Sequence, residues 1–175
     1  VMLSLQRVHD SGMIHRDIAP DNIMILKDGG VRLIDFGAAR HAVHDCGKSM
    51  TVIIKDGYSP EEQYNSHSVQ GPAADVYALS ATLYQMVTGI TPPGAIERGE
   101  YQQKHKRDML PPPSKFNKAV TKAQDTALLN GMALHTQDRT QSVAELYEEL
   151  TAQTPVRRVQ ETIRKEDTKE MFEYI

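Results

Sequence analysis

His15-Arg16-Asp17-Ile18-Ala19-Pro20-Asp21-Asn22 is followed, after two short apolar runs, by Asp35-Phe36-Gly37. The apolar runs are Ile23-Met24-Ile25-Leu26 and Val31-Arg32-Leu33-Ile34, and Lys27-Asp28-Gly29-Gly30 separates them. Asp-Gly between apolar runs marks a β-hairpin, because glycine accepts the positive φ that a tight hairpin turn requires. A loop therefore presents Asp17 and Asn22, the hairpin runs out and back, and Asp35 returns beside Asn22. An oxygen from each of Asn22 and Asp35 suits magnesium, a hard cation that takes oxygen ligands and keeps several waters. Asp17 is left to accept or orient the proton of an attacking hydroxyl.

Working outward, Val1, Met2, Leu3, Leu5 and Val8 stand at helical spacing, and Ser11-Gly12 ends that helix. Residues 36 to 72 lack sustained periodicity and read as a long functional loop with a short helix near Glu61 to Tyr64. Residues 73 to 89 read as a helix. No charge occurs from Val76 to Ile96, about the length of a membrane span, but a stop near Gly89 leaves a buried core helix instead. Pro92-Pro93 and Pro111-Pro112-Pro113 break the chain around a variable loop. Residues 120 to 134 and 141 to 150 read as two more helices, the last with Ser142 as N-cap and Glu145 completing a capping box. Residues 1 to 150 form the expected domain. Residues 151 to 175 form a charged helical tail, with Val156, Val159 and Ile163 on one stripe.

The chain has 175 residues, 39% hydrophobic and 25% charged, with net charge −3. That is an ordinary globular composition without the basic surplus of a nucleic-acid binder. Its single cysteine, Cys46, cannot form an internal disulfide, which fits a reducing cytoplasmic compartment. Val1 stands where a start methionine would, and no leader pattern follows. His41, His44, Asp45 and Cys46 are metal-ligating types, but at no recognised zinc spacing.

His15 to Asn22 match H-R-D-x-x-x-x-N and Asp35-Phe36-Gly37 match D-F-G, and the chain resembles the protein-kinase superfamily. Seven fixed residues at set spacing arise by chance on the order of once in a billion start sites. Gly57-Tyr58-Ser59-Pro60-Glu61 resembles the A-P-E element that closes the activation segment, and Asp75-Val76-Tyr77-Ala78-Leu79 the start of the long buried helix. Asp138-Arg139 is similar to the late arginine that pairs with the A-P-E glutamate, expected here at Glu61. The wording looks most like bacterial serine/threonine kinases. The resemblance implies an α+β fold: a protein-kinase-like C-terminal lobe, mainly helical, whose β-hairpin carries the catalytic and magnesium-binding loops. It implies ATP and Mg2+ as cofactors of the intact parent, protein substrates and a separate N-terminal lobe; the early stop of the uncharged helix leaves no membrane segment in this stretch, while anchoring of the parent beyond Ile175 stays open. Asp17, Asn22 and Asp35 carry the chemistry. His15, Phe36, Gly37, Glu61, Asp75 and Arg139 are architectural, Asp75 holding the catalytic-loop backbone. Arg16, helped by Arg40, would receive phosphate on Ser49 or Thr51.

Two departures bear on activity. No Gly-rich phosphate loop, V-A-I-K-type lysine or pairing glutamate precedes the catalytic loop in this chain, so the chain alone is expected to be inactive. The residue two beyond Asp17 is Ala19, where serine/threonine kinases carry a lysine, and the residue two further on is Asp21. Lys55 is the nearest replacement cation by position. Two other readings stay open. A pseudokinase, a regulatory or binding module without turnover, is favoured by Ala19 and opposed by the retained Asp17, Asn22 and Asp35. A small-molecule kinase of the aminoglycoside phosphotransferase type is opposed by Ser59-Pro60-Glu61 and Arg139.

Overall fold

A computed structural model describes residues 1–41 and 54–156 of the chain. The chain opens with helix α1 (Met2–Asp10) and strand β1 (Met13–Ile14). Strands β2 (Ile23–Ile25) and β3 (Val31–Leu33) follow, then β4 (Arg40–His41). Four helices complete it: α2 (Pro72–Thr88), α3 (Ala95–His105), α4 (Lys122–Gly131) and α5 (Val143–Thr151). Single 3-10 turns lie at Pro20–Asn22, Phe36–Ala38, Glu61–Tyr64, Pro113–Lys115 and Thr136–Asp138.

Helix α2 is the centre of the fold. Proline at its first position and glycine just past its end delimit it, Gly89 taking the left-handed conformation with φ 75°. It is buried on nearly every side, including Asp75, Ser80 and Thr82, so its apolar sequence shows no single stripe. One face joins Val76, Ala78 and Leu79 to Leu5, Ile18, Leu33, Val143 and Leu146. The other joins Tyr77, Ala81 and Tyr84 to Ala95, Leu110, Met132 and Leu134. The first cluster seats the segment around Ile18 on the core, and the second has Tyr58 packed against it. An apolar groove of about 700 Å³ runs along α1, α2 and α5, with Val1, Leu83, Met86 and Tyr147 on its walls.

The short strands work as clamps. β1 and β4 pair antiparallel, Met13 opposite His41 and Ile14 opposite Arg40, and so close the ends of the segment from His15 to Ala39. β2 and β3 pair Ile23 with Leu33 and Ile25 with Val31, the hairpin expected from Asp28-Gly29.

Helix α3 replaces the variable loop expected between the proline runs. Of its eleven residues only Ala95 and Arg98 are buried, so there is no apolar stripe to detect. Arg98 is 1% exposed. It donates to Asp108 (3.1 and 2.5 Å), the Tyr77 hydroxyl (2.9 Å) and the Met132 carbonyl (3.0 Å). Glu97 in the first turn and Lys104 and His105 in the last complement the helix dipole. Thr121 and Gln124 form a reciprocal capping box at the start of α4. At α5 only half of the expected box forms: Ser142 accepts from the Glu145 N–H, while the Glu145 carboxylate accepts from the Gln141 N–H.

Candidate active site

The catalytic segment hangs from one buried carboxylate. Asp75 is fully buried and accepts from the backbone N–H of His15 at 2.7 Å and of Arg16 at 2.8 Å. Its Oδ2 also lies 2.8 Å from the ring Nε2 of His9 on α1. Arg16 takes a left-handed φ of 69°, a conformation an ordinary residue keeps only when its surroundings hold it. Two glutamines help to do so: Gln63 donates to the Arg16 carbonyl at 2.6 Å, and the Arg16 Nε donates to Gln70 at 2.8 Å. The His15 ring meets the Phe36 ring edge-on at 4.7 Å, joining the first motif to the second. Burial pushes the His15 imidazole below its usual pKa, against the opposing charges of Asp75, Asp17 and Asp35.

Short, local bonds tie Asn22 to Asp17 and set the strand end that leads into Asp35 beside Asn22. The Asn22 amide donates to the Asp17 carbonyl at 2.7 Å and to Asp17 Oδ2 at 2.9 Å. The Ile34 N–H donates to the Asn22 carbonyl at 2.9 Å, which brings the residue after Ile34, Asp35, alongside. Asp35 is exposed and left-handed (φ 61°), and its Oδ1 accepts from the Gly37 N–H at 3.0 Å. With the Asn22 nitrogen committed to Asp17, the Asn22 amide oxygen and the second carboxylate oxygen of Asp35 are the atoms that could hold a cation. Among the described residues no cluster of three or more His, Cys, Asp or Glu is placed to hold a metal by itself. Two oxygens completed by phosphate and water are the sparse donor set that suits magnesium.

Lys55 closes the other side of Asp17. Its Nζ lies 2.9 Å from Asp17 Oδ1 and 2.9 Å from Asp21 Oδ1. Partial burial pulls the lysine pKa down, and the hydrogen bonds and charges of Asp17 and Asp21 outweigh that and raise it. A tight turn aims the side chain. The Lys55 N–H donates to Ser59 Oγ at 3.0 Å, and its carbonyl accepts from Tyr58 (3.0 Å) and Ser59 (2.9 Å). The turn is anchored on α2 by a hydrogen bond from the Tyr58 hydroxyl to Gln85. Gly57 is essential to it: φ is 82°, and a Cβ there would lie 2.6 Å from the Pro92 carbonyl oxygen.

Arg139 corrects one expectation. It does not pair with Glu61, whose side chain is 43% exposed and lies 3.9 Å from His135. It grips Glu62 instead, NH1 to Oε1 at 2.6 Å and NH2 to Oε2 at 3.1 Å. Its remaining donors reach the carbonyls of Ala73 (3.0 Å), Ala133 (2.9 Å) and Leu134 (2.9 Å), and its guanidinium sits 5.1 Å over the Tyr77 ring. In a 3-10 turn successive side chains diverge by about a third of a turn, so only one of two adjacent glutamates faces the arginine. Matching Ser59-Pro60-Glu61 picked the wrong one. Gln63, Gln70 and Asp21 also carry contacts that no motif flagged. Arg40 lies on β4. Ser49 and Thr51, with His44, Asp45 and Cys46, lie outside the described residues, as does the tail beyond Val156. Among the described residues no helix is long and apolar enough to cross a membrane.

Residues 1–169 match the family model described as the protein kinase domain. The chain is 36% identical over 155 residues to the probable serine/threonine-protein kinase PknB of Corynebacterium glutamicum, covering 84% of this chain and 24% of that protein. It is 36% identical over 146 residues to the serine/threonine-protein kinase PknB of Mycolicibacterium smegmatis, covering 81% and 23%. A solved structure, the PpkA-294 apo form, aligns with a TM-score of 0.68 at 30% identity, covering 85% of this chain and 50% of that one. The chain therefore spans about a quarter of the length of the curated relatives it matches. A family model matched along most of the chain, and a solved relative sharing this fold, lead to one conclusion: the chain belongs to the protein kinase family, and its fold is that of the C-terminal lobe.

Proposed function

We propose that this chain is the catalytic half of a kinase that transfers the γ-phosphoryl group of ATP to serine or threonine hydroxyls of proteins. The observation that carries this reading is Asp17, held by Asn22 on one oxygen and by Lys55 on the other, with Asp35 brought alongside by the Asn22–Ile34 backbone bond. Asp17 orients the substrate hydroxyl and takes its proton as the oxygen attacks phosphorus. Asn22 and Asp35 would hold magnesium, which when bound would offset the negative charge of the phosphate groups. Asp75 fixes the loop so that Asp17 loses little orientational entropy on the way to reaction.

The test joins this chain to a nucleotide-binding lobe and measures phosphate transfer from ATP to protein substrates. Asp17→Asn keeps the shape and removes the proton acceptor. It should lower turnover by roughly a hundredfold to ten-thousandfold with little change in unfolding midpoint. Turnover kept within a few-fold would overturn the reading in favour of a binding module.

A further inference from the structure

We infer that Lys55 is the transition-state cation of this kinase, delivered from the segment before Tyr58-Ser59-Pro60 and not from the catalytic loop. This rests on the phosphotransfer reading above and names one more catalytic residue within it. Observations on two separate segments of the chain converge. The loop position that would supply a cation holds Ala19, only 1% exposed, so no charge comes from there. The next candidate, Asp21, is negative. An ammonium nevertheless stands beside the proton acceptor, 2.9 Å from Asp17.

The burial of the two carboxylates that hold Lys55 differs, and the difference sets what can move. Asp17 is 14% exposed and Asp21 is 67% exposed. An exposed carboxylate gives up an ion pair cheaply because water replaces the partner, whereas a shielded one does not. Two carboxylates facing one ammonium also leave a net charge of −1, so the lysine does not present an isolated positive charge in the resting site. The negative charge that builds on the transferring phosphoryl oxygens therefore draws Lys55 away from Asp21 and leaves Asp17 in place. Asp21 holds the lysine until that charge develops. The flexible four-carbon stem allows that swing, and the locked turn from Lys55 to Ser59 keeps its root fixed.

The step balances without proton transfer from the lysine. The substrate oxygen forms a bond to the γ-phosphorus, and the bond to the bridging oxygen breaks, its electron pair leaving with ADP. The hydroxyl proton passes to Asp17. Lys55 keeps all its protons and faces the negative charge that builds on the transferring oxygens.

The experiment uses the complete kinase and compares Lys55→Met, Lys55→Ala and Lys55→Arg with the parent. Lys55→Met keeps the apolar stem and removes the charge. It should lower kcat about a hundredfold or more while KM for ATP and for substrate moves little. Lys55→Arg should retain part of the activity. Ethylammonium added to Lys55→Ala should raise kcat in a saturable manner, which neutral ethanol should not. A lysine that merely braced the segment would instead raise KM, lower the unfolding midpoint and ignore the added amine, and that outcome would overturn the proposal. Unchanged kcat in Lys55→Met beside an inactive Asp17→Asn would sink the lysine alone. Full activity in Asp17→Asn, or none in the parent, would sink the underlying phosphotransfer reading and the lysine with it.

Discussion

At the scale of single residues, the site is a set of charges placed by neighbours that cost little to specify. The hairpin that leads from Asn22 to Asp35 was legible because turn chemistry and spacing along one continuous stretch fix it. The partner of Arg139 was not, because the choice between Glu61 and Glu62 depends on which way a 3-10 turn faces, and adjacent identical residues carry no mark of it. The two differ sharply in surroundings, since Glu62 is 11% exposed and bound to a fully buried guanidinium. Removing one partner of such a pair leaves an uncompensated charge, so Glu62→Ala should cost about 3–5 kcal/mol in denaturant unfolding. Glu61→Ala should stay within about 0.5 kcal/mol. Equal losses for the two variants would return the pairing to the one expected from the motif.

At the scale of elements, legibility followed how each segment is held. α2 and the hairpin declare themselves by composition and turn chemistry. α3 does not, because it docks by a buried arginine instead of an apolar stripe, and hydrophobic periodicity is blind to such a device. The pairing of β1 with β4 involves two residues on each side, too few for alternation to show. The turn before Ser59 is the element that most directly links packing to chemistry. Gly57→Ala adds a left-handed residue, worth about 1–2 kcal/mol, and forces its Cβ onto the Pro92 carbonyl. The root of Lys55 must then shift. The expected result is a lower unfolding midpoint together with a fall in kcat larger than any change in KM for ATP, read from the same preparation. Unchanged kcat would show that the turn and the lysine are independent.

At the scale of the molecule, the described residues form the C-terminal-lobe part of the protein kinase fold. The chain carries no lysine or glycine-rich loop upstream of the catalytic segment to cradle phosphates. Calorimetry of this chain alone with Mg-ATP should therefore register no binding in the micromolar range. Micromolar affinity would mean that Asn22, Asp35 and Lys55 suffice to hold the triphosphate. One feature of the architecture also governs how the protein fails on heating. The amides of His15 and Arg16 end on Asp75, a carboxylate fully buried in the central helix, so the catalytic segment has no private melting event. It comes apart when α2 does. Thermal inactivation should accordingly trace the global unfolding curve, and amide protons at positions 15 and 16 should exchange as slowly as those of the core.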